Sequence, residues 1–181
     1  MIYGADGMPI GRSASSDDVE ASRITGSLYQ GSAPVPHRLA RAGFTHVVLC
    51  AKELQMHDGA FGATKVLRCP LDDTTRLDEL AGVYNFPSSV VTTAALVADA
   101  IARRKKVLVT CAQGLNRSGI VVAATLLLLT DWPRQTIVDK MRARRSKHVL
   151  FNPLFESCVL GKVPAFNRAI AAARRTARFG E

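Results

Sequence analysis

The segment from Val107 to Asp131 constrains the fold more than any other, because an apolar run, a polar loop and a long apolar stretch follow one another directly. The run VLVT ends at Thr110 and is typical of a buried strand. The loop CAQGLNRSG follows it, and a long apolar helix pattern begins near Ser118. The segment therefore predicts a strand, a loop and the N-terminus of a helix.

The predicted loop has the chemistry of an anion-binding site. Cys111 opens it and Arg117 closes it, with five residues between them. So short a loop lets its backbone N–H groups converge on one point, where they bind an anion. Arg117 can add a bidentate fork to two phosphate oxygens, and the helix dipole adds partial positive charge. The same field favours the thiolate of Cys111, which makes this residue a candidate nucleophile; the alternative is a buried, inert thiol.

The loop also carries a family resemblance. The run Cys111, Ala112, Gln113, Gly114, Leu115, Asn116, Arg117, Ser118 resembles the C-x5-R-[ST] signature of the cysteine-dependent protein tyrosine phosphatase superfamily, and within it the dual-specificity phosphatase branch. Three upstream blocks, at residues 24–32, 43–49 and 70–73, fall in that family's order, so the resemblance covers roughly Ile24 to Phe155. It implies that the phosphate is bound by Ala112, Gln113, Gly114, Leu115, Asn116 and Arg117.

Strands that alternate with helices predict an α/β fold. Apolar runs indicate strands at residues 24–32, 44–50, 65–71 and 107–110, with helices between and after them. We expect a central, mostly parallel sheet of four to five strands flanked by helices, which is the phosphatase-like fold that the resemblance implies. The loop at Cys111 then lies at the carboxyl end of a strand, where ligands bind in such sheets.

Length and composition narrow the class of protein further. Residues 1–23 are rich in Gly, Ser and Asp and predict a mobile or loosely packed arm, and residues 24–181 predict a single catalytic domain. The cysteines, which are Cys50, Cys69, Cys111 and Cys158, form neither a C-x-x-C pair nor a cluster at zinc spacing. We therefore expect no metal, no cofactor and a reducing compartment. No signal-peptide pattern or membrane-length apolar run is found, so we expect a soluble, cytoplasmic protein without a membrane partner.

A phosphatase of this kind needs an acid to protonate the leaving oxygen. The candidates are Asp72, Asp73, Asp78 and Glu79, which follow the predicted strand at residues 65–71. Consecutive residues of an extended chain point in opposite directions, so Asp72 and Asp73 do not share the role. The family has Pro, then two residues, then Asp. Counted from Pro70, this frame selects Asp73. The alternative is that both are solvated loop carboxylates.

The resemblance implies a mechanism in two steps. Cys111 attacks phosphorus while Asp73 protonates the leaving group, and water activated by Asp73 then hydrolyses the cysteinyl phosphate. Arg117 and the loop N–H groups stabilise the phosphoryl oxygens. The hydroxyl of Ser118 stabilises the departing thiolate, and Gly114 lets the backbone approach the phosphate closely.

Two positions near the nucleophile depart from this simple account. The family usually has His before the nucleophile to order the loop, whereas this chain has Thr110, so weak activity or a catalytically silent phosphate-binding pseudophosphatase is an alternative. Cys50 resembles the second cysteine of some lipid-phosphatase relatives, which makes it a possible redox partner of Cys111. The alternative for Cys50 is a buried strand cysteine.

The sequence leaves two substrate classes possible, phosphorylated proteins and RNA. Phosphotyrosine, together with phosphoserine or phosphothreonine, in a protein partner is the default. The run from Gly114 to Gly119, with Asn116 just before Arg117, is similar to the loop of RNA 5'-phosphatases. The formal net charge of +9 also suits RNA, which is the alternative substrate. Three arginines in the basic stretch before Asn152 could flank the pocket: Arg142, Arg144 and Arg145. We assign none of them a contact. Asn152 is expected to brace the loop.

Overall fold

A five-stranded sheet forms the centre of the computed structural model, which describes residues 19–179 except for the side chains of residues 83, 84, 178 and 179. The strands are β1 (Ala21–Thr25), β2 (Leu28–Gly31), β3 (His46–Ala51), β4 (Lys65–Leu71) and β5 (Val107–Thr110), in the spatial order β1-β2-β5-β3-β4. β1 and β2 form an antiparallel hairpin, and the other neighbouring strands are parallel. The predicted α/β fold with a mostly parallel sheet is confirmed.

Helices cover both faces of the sheet. They are α1 (Pro36–Arg41), α2 (Leu77–Tyr84), α3 (Ser88–Ala102), α4 (Arg117–Leu129), α5 (Arg134–Arg144), α6 (Pro153–Val159) and α7 (Pro164–Phe179), with two short 3-10 helices at Lys52–Leu54 and Asp58–Phe61. One face packs a small apolar cluster around Leu39, Phe44 and Phe61. The other face carries the larger core, to which α3 and α4 contribute many residues. Within residues 19–179, no helix is long and apolar enough to cross a membrane.

Helix α4 is the central helix of the larger core. Every residue from Arg117 to Leu127 is buried, which explains why this segment is apolar on nearly all sides. Burial of one side chain such as Val121 or Leu126 contributes about 1.5–3 kcal/mol. The start of α4, directly after the loop, is thereby held in a fixed position against the sheet.

The first strand begins earlier than the sequence indicated. β1 starts at Ala21, and Arg23 pairs with Tyr29 of β2. Residues 21–23 therefore belong to the sheet rather than to the expected N-terminal arm, because pairing with β2 overrides their weak local pattern. Residues 1–18 of that arm lie outside the described residues.

The strand register determines where the candidate site lies. Thr110, the last residue of β5, pairs with Gly31 of β2 on one side and with Leu49 of β3 on the other. The carboxyl ends of three parallel strands therefore meet where the loop begins at Cys111. This edge of the sheet is the expected place for a ligand.

Candidate active site

Cys111 lies directly after β5 at the floor of a small pocket. Its side chain is 4% exposed, and its Sγ lies 3.4 Å from the Oγ of Ser118 in the first turn of α4. The pocket has a volume of about 180 Å³ and is lined by Asp73, Cys111, Ala112, Gln113, Leu115, Asn116 and Arg117. The nucleophile, the arginine and the acid suggested by the sequence therefore surround one cavity.

The backbone carbonyl groups of the loop are held from outside the pocket. Ala33 donates its N–H to the carbonyl of Ala112 at 3.4 Å, and Leu150 donates to that of Leu115 at 3.3 Å. The side chains of Gln30 and Arg145 bind further carbonyls of the loop, at Gly114, Leu115 and Gln113. These contacts fix the loop in position beside the pocket.

The loop N–H groups are free donors. Within residues 19–179, those of residues 113–116 make no hydrogen bond. The N-terminus of α4 has no side-chain cap either, because the side chain of Asn116 is directed elsewhere. Unpaired N–H groups and a helix N-terminus together form an anion-binding site.

Gly114 is required for packing of the loop on the sheet. Its φ is +68°, and a Cβ at this position would overlap the backbone of Gly31 at the end of β2. Glycine therefore lets the loop rest directly on β2. The close approach of Gly114 to a phosphate stays a prediction.

Arg117 enters the pocket from the first turn of α4. Its Nη1 donates to Oε2 of Glu53 at 2.6 Å and to the carbonyl of Leu71 at 3.4 Å. Its Nε is buried and has no hydrogen-bond partner among the described residues, so it is available to an oxyanion. Burial alone lowers the pKa of Arg117, but the hydrogen bond to Glu53 and the charges of Cys111, Glu53 and Asp73 outweigh burial and raise it.

Asp73 is fixed at the rim of the pocket by two amide side chains. Asn152 Nδ2 donates to Oδ1 of Asp73 at 2.8 Å, and Asn116 Nδ2 donates to Oδ2 at 3.1 Å. The backbone N–H of Asn152 in turn donates to Oδ1 of Asn116 at 3.1 Å. Asp72, by contrast, pairs with Lys52 at 2.7 Å. Through this network Asn152 braces Asp73 directly and the loop through Asn116.

Thr110 does not order the loop. Its hydroxyl donates to the carbonyl of Val48 on β3 at 2.9 Å. The threonine therefore joins two neighbouring strands of the sheet. In this chain the side chains of Gln30 and Arg145 bind the loop carbonyls, and the effect of Thr110 on activity stays a prediction.

Cys50 is the residue that follows Leu49 on β3, the strand next to β5, after which Cys111 lies. Cys50 and Cys111 both line a small apolar space under the loop. Burial raises the pKa of the Cys50 thiol well above its ordinary value, and the neighbouring thiols of Cys69 and Cys111 raise it further. Burial also raises the pKa of Cys69 to about 11 and that of Cys158 to about 12. These three thiols are protonated at neutral pH.

The sequence analysis missed two residues of the site, Gln30 and Glu53, and assigned no contact to Arg145. The side chain of Arg145 is 9% exposed, and it joins the loop carbonyls to Glu20 at 2.7 Å. Arg142 instead binds the carbonyl of Val149 at 3.1 Å and Glu156 at 2.8 Å, away from the loop. The available signal for Gln30 was a polar residue inside a short strand. Glu53 gave none.

The described part of the chain holds no cluster of three His, Cys, Asp or Glu side chains arranged to bind a metal ion. The groups that surround the pocket are a thiol, a guanidinium, a carboxyl and backbone N–H groups. All of these act on a phosphoryl group without a bound metal.

A thiol at a strand end, free backbone N–H groups in the loop after it and an arginine at the following helix start form an arrangement that suits an anion such as phosphate. The family model described as "Dual specificity phosphatase, catalytic domain" matches residues 28–160, which run from β2 to the end of α6. The chain therefore belongs to the dual-specificity phosphatase family, and the resemblance noted in the sequence is confirmed. A search of curated proteins gave no significant match.

Solved structures share this fold at low sequence identity. Human DUSP28 is 22% identical, with a TM-score of 0.59 over 91% of this chain and 99% of that one. Human tyrosine phosphatase-like serine/threonine/tyrosine-interacting protein is 18% identical, with a TM-score of 0.64 over 83% and 99%. Kinase-associated phosphatase, solved with its catalytic-site cysteine changed to serine, is 15% identical, with a TM-score of 0.65 over 86% and 96%.

Proposed function

We propose that this protein hydrolyses phosphate monoesters on proteins, phosphotyrosine first and phosphoserine or phosphothreonine second, through a cysteinyl phosphate on Cys111. One observation carries the proposal: Arg117, whose buried Nε is unpartnered among the described residues, lines the same pocket as Cys111, and so do Gln113, Leu115 and Asn116, whose backbone N–H groups are free there. Together they suit a phosphoryl group in contact with the sulfur.

In the first step the thiolate of Cys111 attacks phosphorus, an S–P bond forms and the bond from phosphorus to the leaving oxygen breaks. Asp73, as the carboxylic acid, gives its proton to that oxygen, which departs as a hydroxyl. Arg117 and the loop N–H groups stabilise the charge on the phosphoryl oxygens. Asn116 and Asn152 orient the carboxyl group of Asp73 for this transfer.

In the second step water attacks phosphorus and gives a proton to the carboxylate of Asp73. The S–P bond breaks, inorganic phosphate leaves, and Cys111 returns to the thiolate. The hydroxyl of Ser118, 3.4 Å from Sγ, stabilises the thiolate as it departs. Asp73 ends the cycle protonated and ready for the next substrate.

A second candidate substrate is the 5'-phosphate end of RNA. The net charge of +9 favours a polyanionic substrate. Within the described residues, however, Arg117 is the only cationic side chain that lines the pocket. One arginine and a ring of N–H groups suit a single phosphoryl group, so we favour the protein monoester.

The test is phosphate release from three substrates in parallel: a phosphotyrosine peptide, the same peptide with phosphoserine, and 5'-triphosphate RNA. Cys111→Ser, which keeps the shape of the site, is the blank. We expect peptide turnover that disappears in the blank. Faster release from RNA would establish the second candidate. Phosphate binding without release from any substrate would identify a pseudophosphatase and contradict the proposal.

A further inference from the structure

Gln30 is a polar residue in the interior of the fold. It lies on β2, its side chain is fully buried, and its Nε2 faces the loop that follows β5. That nitrogen lies 3.1 Å from the carbonyl oxygen of Gly114, 3.3 Å from Oγ of Ser118 and 3.4 Å from the carbonyl oxygen of Leu115. One amide group therefore contacts both the loop and the hydroxyl beside the nucleophile.

The orientation of the Gln30 amide follows from its neighbours. A flipped amide would set its oxygen against the carbonyl oxygens of Gly114 and Leu115, which is repulsive, so the NH2 group must face them. The remaining oxygen, Oε1, is buried and without a hydrogen-bond partner among residues 19–179. An uncompensated buried oxygen costs stability, and the contacts of Nε2 offset that cost.

The donor direction at Ser118 follows in turn. An amide nitrogen only donates, so Oγ of Ser118 accepts from Gln30. A hydroxyl has one proton, and the proton of Ser118 is then free to be donated to Sγ of Cys111, 3.4 Å away. A hydrogen bond from this hydroxyl stabilises the thiolate more than the thiol.

We propose that Gln30 is a positioning residue that turns the Ser118 hydroxyl into a hydrogen-bond donor to Cys111. Gln30 also secures the carbonyls of Gly114 and Leu115, so a single side chain fixes both the phosphate loop and the state of the nucleophile. This role of Gln30 concerns the reactivity of the Cys111 thiol, which is measured without turnover. Only the effect of Gln30 on turnover rests on the proposed function.

Other charged or titratable groups also act on the thiol. Arg117 and Asp73 line its pocket, Cys50 lies beside it on β3, Glu53 acts through its pair with Arg117, and Arg145 binds the loop carbonyls. A substitution at Gln30 leaves these groups in place. Because Gln30 also binds the loop carbonyls, a change in thiolate fraction in such a variant reports the contact with Ser118 only if the change disappears when the Ser118 hydroxyl is removed.

The experiment measures the rate of Cys111 alkylation by iodoacetamide against pH, which needs no turnover and stays informative if the protein proves not to be a phosphatase. Gln30→Met keeps the length of the side chain and removes the donor. We expect the midpoint of the alkylation profile to rise by about one pH unit, which is a tenfold loss of alkylation rate at pH values below both midpoints. Thr110→Val, which removes the buried hydroxyl bound to Val48, is the matched control and should leave the midpoint in place.

A double variant separates positioning from general packing. In a Ser118→Ala background, Gln30→Met should add little further shift, because the hydroxyl through which it acts is gone. An equal shift in both backgrounds, or no shift in the single variant, would overturn the proposal. If Gln30→Met does not fold, Gln30→Leu serves instead: it also lacks a donor and carries no charge, so the midpoint should rise as well, and an unchanged midpoint would overturn the proposal.

Discussion

Asn152 and Asp73 lie 79 positions apart in the chain, and the amide of Asn152 donates to the carboxylate of Asp73 at 2.8 Å. The same amide donates to the carbonyl of Thr74 at 3.0 Å, while its oxygen caps the N-terminus of α6 through the N–H groups of Leu154 and Phe155. One side chain thus begins a helix and orients the candidate acid.

The two roles of Asn152 can be separated by substitution. Asn152→Ala should lower kcat at least tenfold, because Asp73 loses a donor that holds its direction, and it should cost about 1 kcal/mol of stability through the lost cap. Asn152→Ser keeps a capping oxygen and should lower kcat with less loss of stability. Steady-state kinetics and urea unfolding measure both effects. Equal kcat in wild type and both variants would contradict the orienting role.

The choice between the two neighbouring aspartates is tested by a matched pair. Asp73→Asn should lower kcat by about 100- to 10,000-fold while substrate binding persists, because the general acid is lost. Asp72→Asn removes the carboxylate that pairs with Lys52 and should change kcat little. Single-turnover kinetics on a phenolic phosphate provide the measurement. Unchanged turnover in Asp73→Asn would refute the assignment.

Glu53 links the pH dependence of stability to the arginine of the site. The hydrogen bond from Arg117 lowers the pKa of Glu53 below its ordinary value of 4.5. A depressed pKa in the folded state contributes stability above pH 4.5, and this contribution is lost as pH falls through the folded value. Glu53→Gln should therefore have a lower Tm than wild type at pH 6–7, and the difference should shrink on acidification. A difference that grows on acidification would contradict this reading.

Peroxide should join Cys50 to Cys111. Peroxide oxidises the Cys111 thiolate to a sulfenic acid, and attack by the Cys50 sulfur then forms the disulfide and releases water. Because burial keeps Cys50 protonated, closure should be faster at higher pH. Mass spectrometry of peptides from treated protein would detect the bond. After prolonged treatment thiols should restore activity in wild type but not in Cys50→Ser, where further peroxide oxidises the unprotected sulfenic acid of Cys111 to a sulfinic acid that thiols do not reduce. Equal recovery in both would contradict the pairing.

Local signals in the sequence were sufficient for most of the fold. The apolar run at residues 65–71 corresponds to β4 without adjustment, and the C-x5-R spacing located the loop and the start of α4. Alternation along an extended chain separated the roles of Asp72 and Asp73, and the family's frame then selected Asp73. These features depend on residues that are close in sequence.

The support around the loop could not be read in the same way. Gln30 lies 84 positions from Gly114, and Glu53 lies 64 positions from Arg117. Their contacts depend on the order of β2, β5 and β3 in the sheet, which no local pattern encodes. The sequence pointed to Thr110 as a weakness of the loop, but it did not reveal the tertiary contacts of Gln30 and Arg145 with the loop carbonyls; the effect of Thr110 on activity stays a prediction.

The central claim is that Cys111 carries the phosphoryl group between the two steps. The most direct measurement is acid quenching of the enzyme during turnover of a phosphotyrosine peptide, followed by mass spectrometry of the peptide that contains Cys111. We expect phosphate bound to Cys111 in the wild type and none on this peptide in Cys111→Ser. Continued turnover with no phosphate on Cys111, or turnover retained in Cys111→Ser, would contradict the account.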